Sequence, residues 1–528
     1  MKKRLLTIIG IVAMAVALFT VIHFIWSDLY IAEFDSDNAE TAIWGQVTVE
    51  TGLLIDPDFH SYIMMIPVGG NLFFAPFVKA FGMGITALRA GYTVLAVLFA
   101  VLLTLALRTM LPSWDLAMIG CGLIMILTAA TENLRDIIWC HTVYYGHSVF
   151  CIMMCIGSLG IYLRGKRVLG GILLFMSTLL GSINGSVLLL YIALPLAAAL
   201  FLEPMMNQER PSEDFLKVPF LLICAAIVCG TVLNKVICAG VQSIHAGHYM
   251  VFCRSSQWVE NLRLLPEKWL CLFFELPQSS VPVSIKMTLR LGGALVLSVL
   301  PFFSFAVLKE TDSRMTRIVI LYHWFLCAAL LFFFVFGAIS GGARRLIPLW
   351  FSCLIVDCLT MVWMLRKKRL LQTVGAASAC LTMLFAALAA FTVVNSPADL
   401  SIWYDDSSIY NILETHGLTH GYSMDYWYTN SITVLSDSRI SVLGVDMKSN
   451  GFTIADHQNK GSWYKEVPTD GKTFLICKEY VVDENPWLEE DAVEKLYSWQ
   501  HTITPFTDTT EGYYILVYDH DVIAEKLQ

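Results

Sequence analysis

MKKRLLTIIGIVAMAVALFTVIHFIWSDLYIAEFDSDNAE, residues 1–40, opens the chain. Three basic residues, Lys2, Lys3 and Arg4, precede an apolar run from Leu5 to Trp26. An acidic cluster follows at Glu33, Asp35, Asp37 and Glu40. A cleavable signal peptide has an apolar core of about 7–15 residues ending at a small-residue site. This run is longer and ends Ile25-Trp26-Ser27-Asp28, so it reads as a retained span. Ten further apolar runs lie near 87–107, 114–130, 147–163, 168–182, 186–202, 217–238, 286–308, 317–338, 346–365 and 372–394. A bilayer core takes about 20 apolar residues per helix. The expected fold is therefore a polytopic α-helical membrane protein with about eleven transmembrane helices. A C-terminal soluble α/β domain completes it.

Composition agrees. The chain has 528 residues, 56% apolar and 15% charged, against about 45–50% and 25% in soluble proteins. That excludes an ordinary soluble enzyme and a disordered chain. Residues 395–528 carry a net charge of −14 and residues 1–394 one of +6. An acidic tail on a weakly basic body argues against a nucleic-acid partner, which needs a basic face. Most of the 14 cysteines sit in apolar runs, where Cys acts as a small hydrophobe.

The expected domains are a transmembrane body over 1–394, with a long first outer loop at 27–86, and an extracytoplasmic domain over 395–528. Basic clusters mark cytoplasmic loops. With eleven spans, Lys2 to Arg4, Arg108, Arg164 to Arg167, Lys309 to Arg317 and Arg366 to Arg369 all fall inside, and Arg344-Arg345 is the exception. The expected localisation is the plasma membrane, with the N-terminus cytoplasmic and the tail outside. The short runs on either side of Gly181-Ser-Ile-Asn-Gly185 read as a hairpin or as one broken helix. Residues 431–435, 440–445, 473–477 and 513–518 read as strands, and 405–417 and 489–501 as helices.

The first outer loop carries the chemistry-bearing residues. Ala39, Ile43 and Val47 recur at helical spacing, giving an amphipathic helix over 39–51 on the membrane surface. Asp37 with Glu40 has the spacing of an N-cap and its capping box. A carboxylate at the lipid–water boundary also suits a general base acting on a hydroxyl. Asp35 and Asp37 divide these two jobs between them in either order, with Glu40 in support.

The layout resembles the GT-C superfamily of integral-membrane glycosyltransferases, which includes protein O-mannosyltransferases and aminoarabinose transferases. Those enzymes place an acidic motif directly after span 1, then a surface helix and a Gly turn. Asp35-Ser-Asp37, residues 39–51 and Gly52 occupy those places. The stretches Pro67 to Pro76 and Phe81 to Arg89 resemble the segment before span 2 in bacterial members. Arg344-Arg345-Leu-Ile-Pro348 resembles an Arg-Tyr-x-x-Pro-like element, with Arg345 in place of the Tyr. Gly421-Tyr-Ser-Met-Asp-Tyr-Trp427 resembles an aromatic patch of some relatives with a small outer domain. The resemblance implies a polyprenyl-phosphate-linked sugar donor, membrane-lipid contacts, and an acceptor that is an unspecified glycan, lipid or protein.

Arg344 and Arg345 then become a clamp on the donor phosphate, because guanidinium binds such oxygens bidentately. The alternative is that they snorkel to headgroups. His141, Tyr145 and His147 form a wall of the substrate site, or interfacial anchors beside an Arg135–Asp136 or Glu132–Arg135 pair. No resident cofactor is expected. A divalent metal at Asp35 and Asp37 is disfavoured because only Glu33 and Glu40 could add oxygen ligands. Two other functions compete. A transporter or flippase needs ionisable or broken-helix sites near mid-membrane; His23 and Lys235 stand out in the spans, without an evident partner or repeat. A non-catalytic envelope scaffold would use only its tail.

Overall fold

Fifteen helices of ten or more residues and one six-stranded sheet make up the described structure. The computed structural model of the protein describes residues 2–53, 55–60, 70–141, 146–183, 189–206, 216–237, 239, 251–276, 282, 284–338, 342–448, 451–455, 458–465, 470–504 and 507–527. In chain order the helices are α1 (Lys2–Trp26), α2 (Ser36–Thr51), α3 (Gly70–Phe81), α4 (Ile85–Met110) and α5 (Trp114–Leu127). Then come α6 (His147–Leu163), α7 (Arg167–Ile183), α8 (Leu194–Met206), α9 (Lys217–Ile237) and α10 (Trp258–Leu270). The last five are α11 (Ile285–Val299), α12 (Arg314–Phe336), α13 (Ile347–Leu365), α14 (Leu370–Asn395) and α15 (Tyr426–Leu435).

Among the described residues, eight helical stretches are long and apolar enough to cross a bilayer: Arg4–Trp26, Ile85–Met110, Leu189–Met206, Lys217–Ile237, Ile285–Glu310, Arg314–Phe336, Ala343–Leu365 and Leu370–Asn395. A ninth is a pair, Trp114–Leu127 and Glu132–Cys140, bent by 112°. The expected spans at 147–163 and 168–182 are real helices, but each has only 17 residues. That is about 25 Å of rise, short of a bilayer core. Eight or nine full spans plus two short apolar helices therefore stand where about eleven spans were expected. Helix α7 ends at Ile183 and a new helical stretch begins at Leu189.

The chain divides into two compact units. The first comprises residues 1–25, 93–237 and 247–396. Its helices approach closely at small residues, as helices in lipid do. A Cβ on Gly170 would lie 2.4 Å from the Tyr162 backbone, and one on Gly230 would lie 2.5 Å from Ser182 Cβ. Aromatic packing centres on Phe99, whose ring is 5.3 Å from Trp139, 5.5 Å from Phe150 and 6.0 Å from Phe351. A buried ion pair joins Glu203 of α8 to Arg317 of α12 at 2.8 Å.

The second unit is built chiefly from 26–92 and 397–528. The first outer loop thus folds with the tail, although composition alone attached 27–86 to the membrane body. The strands are β1 (His420–Ser423), β2 (Ser441–Lys448), β3 (Gly451–Ile454), β4 (Asp470–Lys478), β5 (Glu494–Thr504) and β6 (Thr507–His520). Their order is β3-β2-β1-β4-β6-β5, with β1 parallel to both β2 and β4 and the other pairs antiparallel. Tyr422, Leu443, Leu475 and Leu516 are among the side chains of the sheet's core. Two expectations for the tail are corrected here. Residues 431–435 are helical, within α15, and 494–501 lie in β5.

Helix α2 also differs from its expected form. Its C-cap Gly52 is left-handed, at φ 68°, a conformation that costs glycine least. Ala39, Ile43 and Val47 are buried as the spacing implies, but so are Glu40, Thr41, Ala42 and Trp44. The helix packs on α3 and on α15. A helix buried on several faces is an interior element, so the one-sided surface helix is not what forms. Residues 59–60 pair antiparallel with 459–460. Lys460 reaches Glu50 at 3.1 Å and Asp56 at 3.4 Å.

Candidate catalytic site

The acidic motif folds around the N-terminus of α2. Asp35 is the N-cap, in extended conformation at φ −140°. Its carboxylate accepts from Asn38 N at 2.9 Å, and Asp35 N donates to Asn38 Oδ1 at 3.2 Å. This is a capping box two residues earlier than the Asp37–Glu40 box read from the sequence. Both spacings are i, i+3; the extended backbone at Asp35 decides between them.

Relieved of capping, Asp37 and Glu40 face other partners. Asp37 Oδ1 accepts from the Tyr426 hydroxyl at 3.0 Å. Ser36 Oγ lies 2.7 Å from Tyr426 O and 2.9 Å from Trp427 O, and accepts from Ser431 N at 3.2 Å. One hydroxyl thus joins the start of α2 to the first two turns of α15. Glu40 is 2% exposed; Oε1 accepts from Trp44 Nε1 at 3.1 Å and from the Gln458 side-chain amide. Asp35 and Asp37 are half-buried. The three carboxylates therefore differ: a cap at Asp35, a buried strut at Glu40, and at Asp37 a half-buried acid steadied by a phenol.

The aromatic patch at 421–427 explains itself in the same place. Asp425 caps α15 by accepting from Trp427 N at 3.0 Å, and its other oxygen accepts from Tyr513 OH at 2.7 Å. A Cβ on Gly421 would lie 2.4 Å from Phe474 O on the neighbouring strand, so only glycine fits there. The patch thus delivers Tyr426 to Asp37. The sequence signalled Tyr426 through the family-like patch. Gln458 carried no such signal.

The remaining expected site residues belong to the first unit. Arg344 and Arg345 are half-buried on a short 3₁₀ turn, Ala343–Leu346, leading into α13. Arg345 donates to Ala338 O at 2.8 Å, bracing the preceding turn. His141 is 2% exposed and its backbone N–H closes a π turn onto Asp136 O. His147 Nε2 lies 3.3 Å from Cys151 Sγ, one turn along α6. Tyr145 lies outside the described residues. Arg135 is buried, donating to Ala129 O at 3.0 Å and resting over the Phe24 ring at 5.5 Å. The spans also hold Asp357 and His323, which the reading of His23 and Lys235 passed over. Both are buried, with His323 Nδ1 2.9 Å from Ser352 Oγ and Asp357 Oδ2 3.8 Å from Cys353 Sγ. Among the described residues no three His, Cys, Asp or Glu side chains are grouped to hold a metal ion.

Arg89, the end of one family-like stretch, has a defined setting in the second unit. It donates to Ser27 O at 2.9 Å, with its guanidinium 5.8 Å from the Trp26 ring and 5.7 Å from that of Tyr30. Cation–π contacts of this kind hold the end of α1 against the start of α4.

No known family matches the chain at the level of sequence, and no curated protein does. Its fold does have a solved counterpart. The crystal structure of ArnT from Cupriavidus metallidurans bound to undecaprenyl phosphate superposes with a TM-score of 0.51 at 10% sequence identity. The superposition covers 96% of this chain and 97% of that one. An identity that low speaks to fold alone, and the correspondence runs end to end, through the helical body and the tail. The chain shares its fold, from the helical body through the tail, with that ArnT structure.

Proposed function

We propose that this protein is a membrane glycosyltransferase that moves a sugar from a polyprenyl-phosphate donor to an acceptor hydroxyl on the outer face of the membrane. The observation that carries the reading is the end-to-end likeness to ArnT, a protein solved with undecaprenyl phosphate. In the proposed step the acceptor oxygen attacks the anomeric carbon. The bond from that carbon to the phosphate oxygen breaks, and the lipid phosphate leaves with the electron pair. Asp37 takes the hydroxyl proton. Direct displacement inverts the anomeric carbon. Asp37 is favoured over Asp35 because Asp35 is committed to its cap and Asp37 is steadied by Tyr426. Glu40 braces α2 beyond them, through Trp44 and Gln458. The basic clusters support a cytoplasmic N-terminus and an outer tail.

The test compares the masses of outer-surface glycans in cells lacking the gene, complemented with wild type, Asp35→Asn or Asp37→Asn. An amide keeps the shape and loses the proton affinity. Asp37→Asn is expected to cut transfer by about 10²–10⁴. Asp35→Asn should retain most of it, because Asn also caps well. Full product from a normally inserted Asp37→Asn protein would remove the base assignment. No change in any glycan on deleting the gene would remove the transferase reading itself.

A further inference from the structure

The second unit contains a cavity of about 680 Å³ that the proposed chemistry does not use. Its walls come from α2, the turn before α4, the start of β1, α15 and the loop into β2. Gln46 and Glu50 face it from α2. They lie nine and thirteen residues beyond Asp37, a rise of about 14–20 Å, and none of Asp35, Asp37 and Glu40 lines it.

Its chemistry is specific. Asn430 is 3% exposed, lines the cavity, and its buried Nδ2 has no hydrogen-bond partner. His420 lines it too, and its buried Nε2 is likewise unpartnered. Unsatisfied buried polar groups are rare and call for a ligand or water. Burial, opposed in part by Asp521, holds His420 below the usual imidazole range. A neutral imidazole offers one donor and one acceptor nitrogen. On another wall stands Trp463, half-buried, with Nε1 donating to Glu50 Oε2 at 3.2 Å and its ring 6.4 Å from that of Phe59. The indole plane is thereby fixed.

The charges exclude an anion. Glu50 and Asp437 bring carboxylates to the wall. The cation there, Arg439, is tied to Glu414 at 2.8 Å and to Ser436 O at 3.1 Å. A phosphate or a carboxylate ligand would meet the Asp437 carboxylate, with Glu50 already paired to Lys460 and Arg439 to Glu414. What suits the cavity is a neutral molecule with many groups that both donate and accept, and an apolar C–H face to lie on an indole. We infer that this cavity binds a neutral saccharide, as a non-catalytic glycan site of the second unit. The inference does not depend on the transferase reading, since the walls alone define the ligand.

The test uses the full chain in a detergent without a sugar headgroup. Saturation-transfer difference NMR is recorded with three neutral tetrasaccharides: an α-1,4-glucan, an α-1,6-mannan and a β-1,4-linked N-acetylglucosamine oligomer. At least one should give saturable transfer, unaffected by inorganic phosphate. Asn430→Asp replaces a donor by an acceptor and should weaken binding at least about tenfold. Trp463→Ala should do the same by removing the platform. If Asn430→Asp fails to fold, judged by its melting midpoint, Trp463→Ala decides alone. Absence of transfer with all three sugars, undiminished binding in the folded variants, or displacement by phosphate would each overturn the site. Transferase activity is not read in any arm, so this result and the fate of the base assignment stay separate.

Discussion

At the level of single residues, the two aspartates show what spacing leaves open. Asp35, Asp37, Asn38 and Glu40 offer two overlapping i, i+3 boxes, and either could start a helix. The choice falls to Asp35 because Ser36 is drawn onto the first two turns of α15, where it meets Tyr426 O, Trp427 O and Ser431 N. Those partners lie almost 400 positions away in sequence, and no local rule can find them. In the proposed step Tyr426 is a positioning residue for Asp37. Tyr426→Phe deletes one hydrogen bond, a net loss of about 0.5–1.5 kcal/mol. The expected result is a fall in kcat of about two- to tenfold with the donor KM unchanged, since the phenol orients the acid and does not hold the donor. Steady-state kinetics on the purified protein checks this. A changed donor KM with unchanged kcat would put Tyr426 in donor binding instead.

At the level of elements, legibility followed the strength of local pattern. The spans were readable because lipid imposes long apolar runs, and Gly52, expected from the resemblance as a turn, closes α2 as a left-handed cap. The tail was harder. Ser431-Ile-Thr-Val-Leu435 is rich in β-branched residues, yet it forms the second half of α15, where every residue from Tyr428 to Leu435 is buried. Glu494 to Gln500 contains good helix formers, yet it pairs with β6 along its length. Packing outweighs propensities worth a few tenths of a kcal/mol per residue. Helix α15 depends instead on its cap. Asp425 serves Trp427 N and Tyr513 OH, and stands 3.8 Å from Lys478 Nζ. Asp425→Ala loses the cap and leaves the Tyr513 hydroxyl with Glu511 Oε2, 3.1 Å away, as its carboxylate acceptor, a cost of about 0.5–2 kcal/mol. The melting midpoint of the detergent-solubilised protein should fall, and Asp425→Asn should recover part of it. A midpoint equal to wild type in the Ala variant would mean that packing alone holds α15.

At the level of the whole molecule, composition placed one boundary near residue 394, and the structure adds a second grouping. Residues 26–92 fold with 397–528 because specific pairs join them, among them Lys460 with Glu50 and Asp56. Hydropathy sees segments one at a time and is blind to such partnerships. It does constrain sidedness, because moving charge across a bilayer is costly whatever the tertiary contacts. Eleven crossings, counting the two 17-residue helices and the bent pair as one each, put the N-terminus and the tail on opposite sides. The basic clusters at Lys2 to Arg4, Arg164 to Arg167 and Arg366 to Arg369 then share the N-terminal side, which the charge rule makes cytoplasmic. If either short helix failed to cross, the tail would change sides and Arg366 to Arg369 would lie outside. The two arrangements differ at one accessible position. Glu490 is exposed, so a cysteine introduced there by Glu490→Cys should react with a membrane-impermeant maleimide in intact cells, above the background of the native cysteines. Reaction only after permeabilisation would place the tail in the cytoplasm, and the outer-face transfer would fall with it.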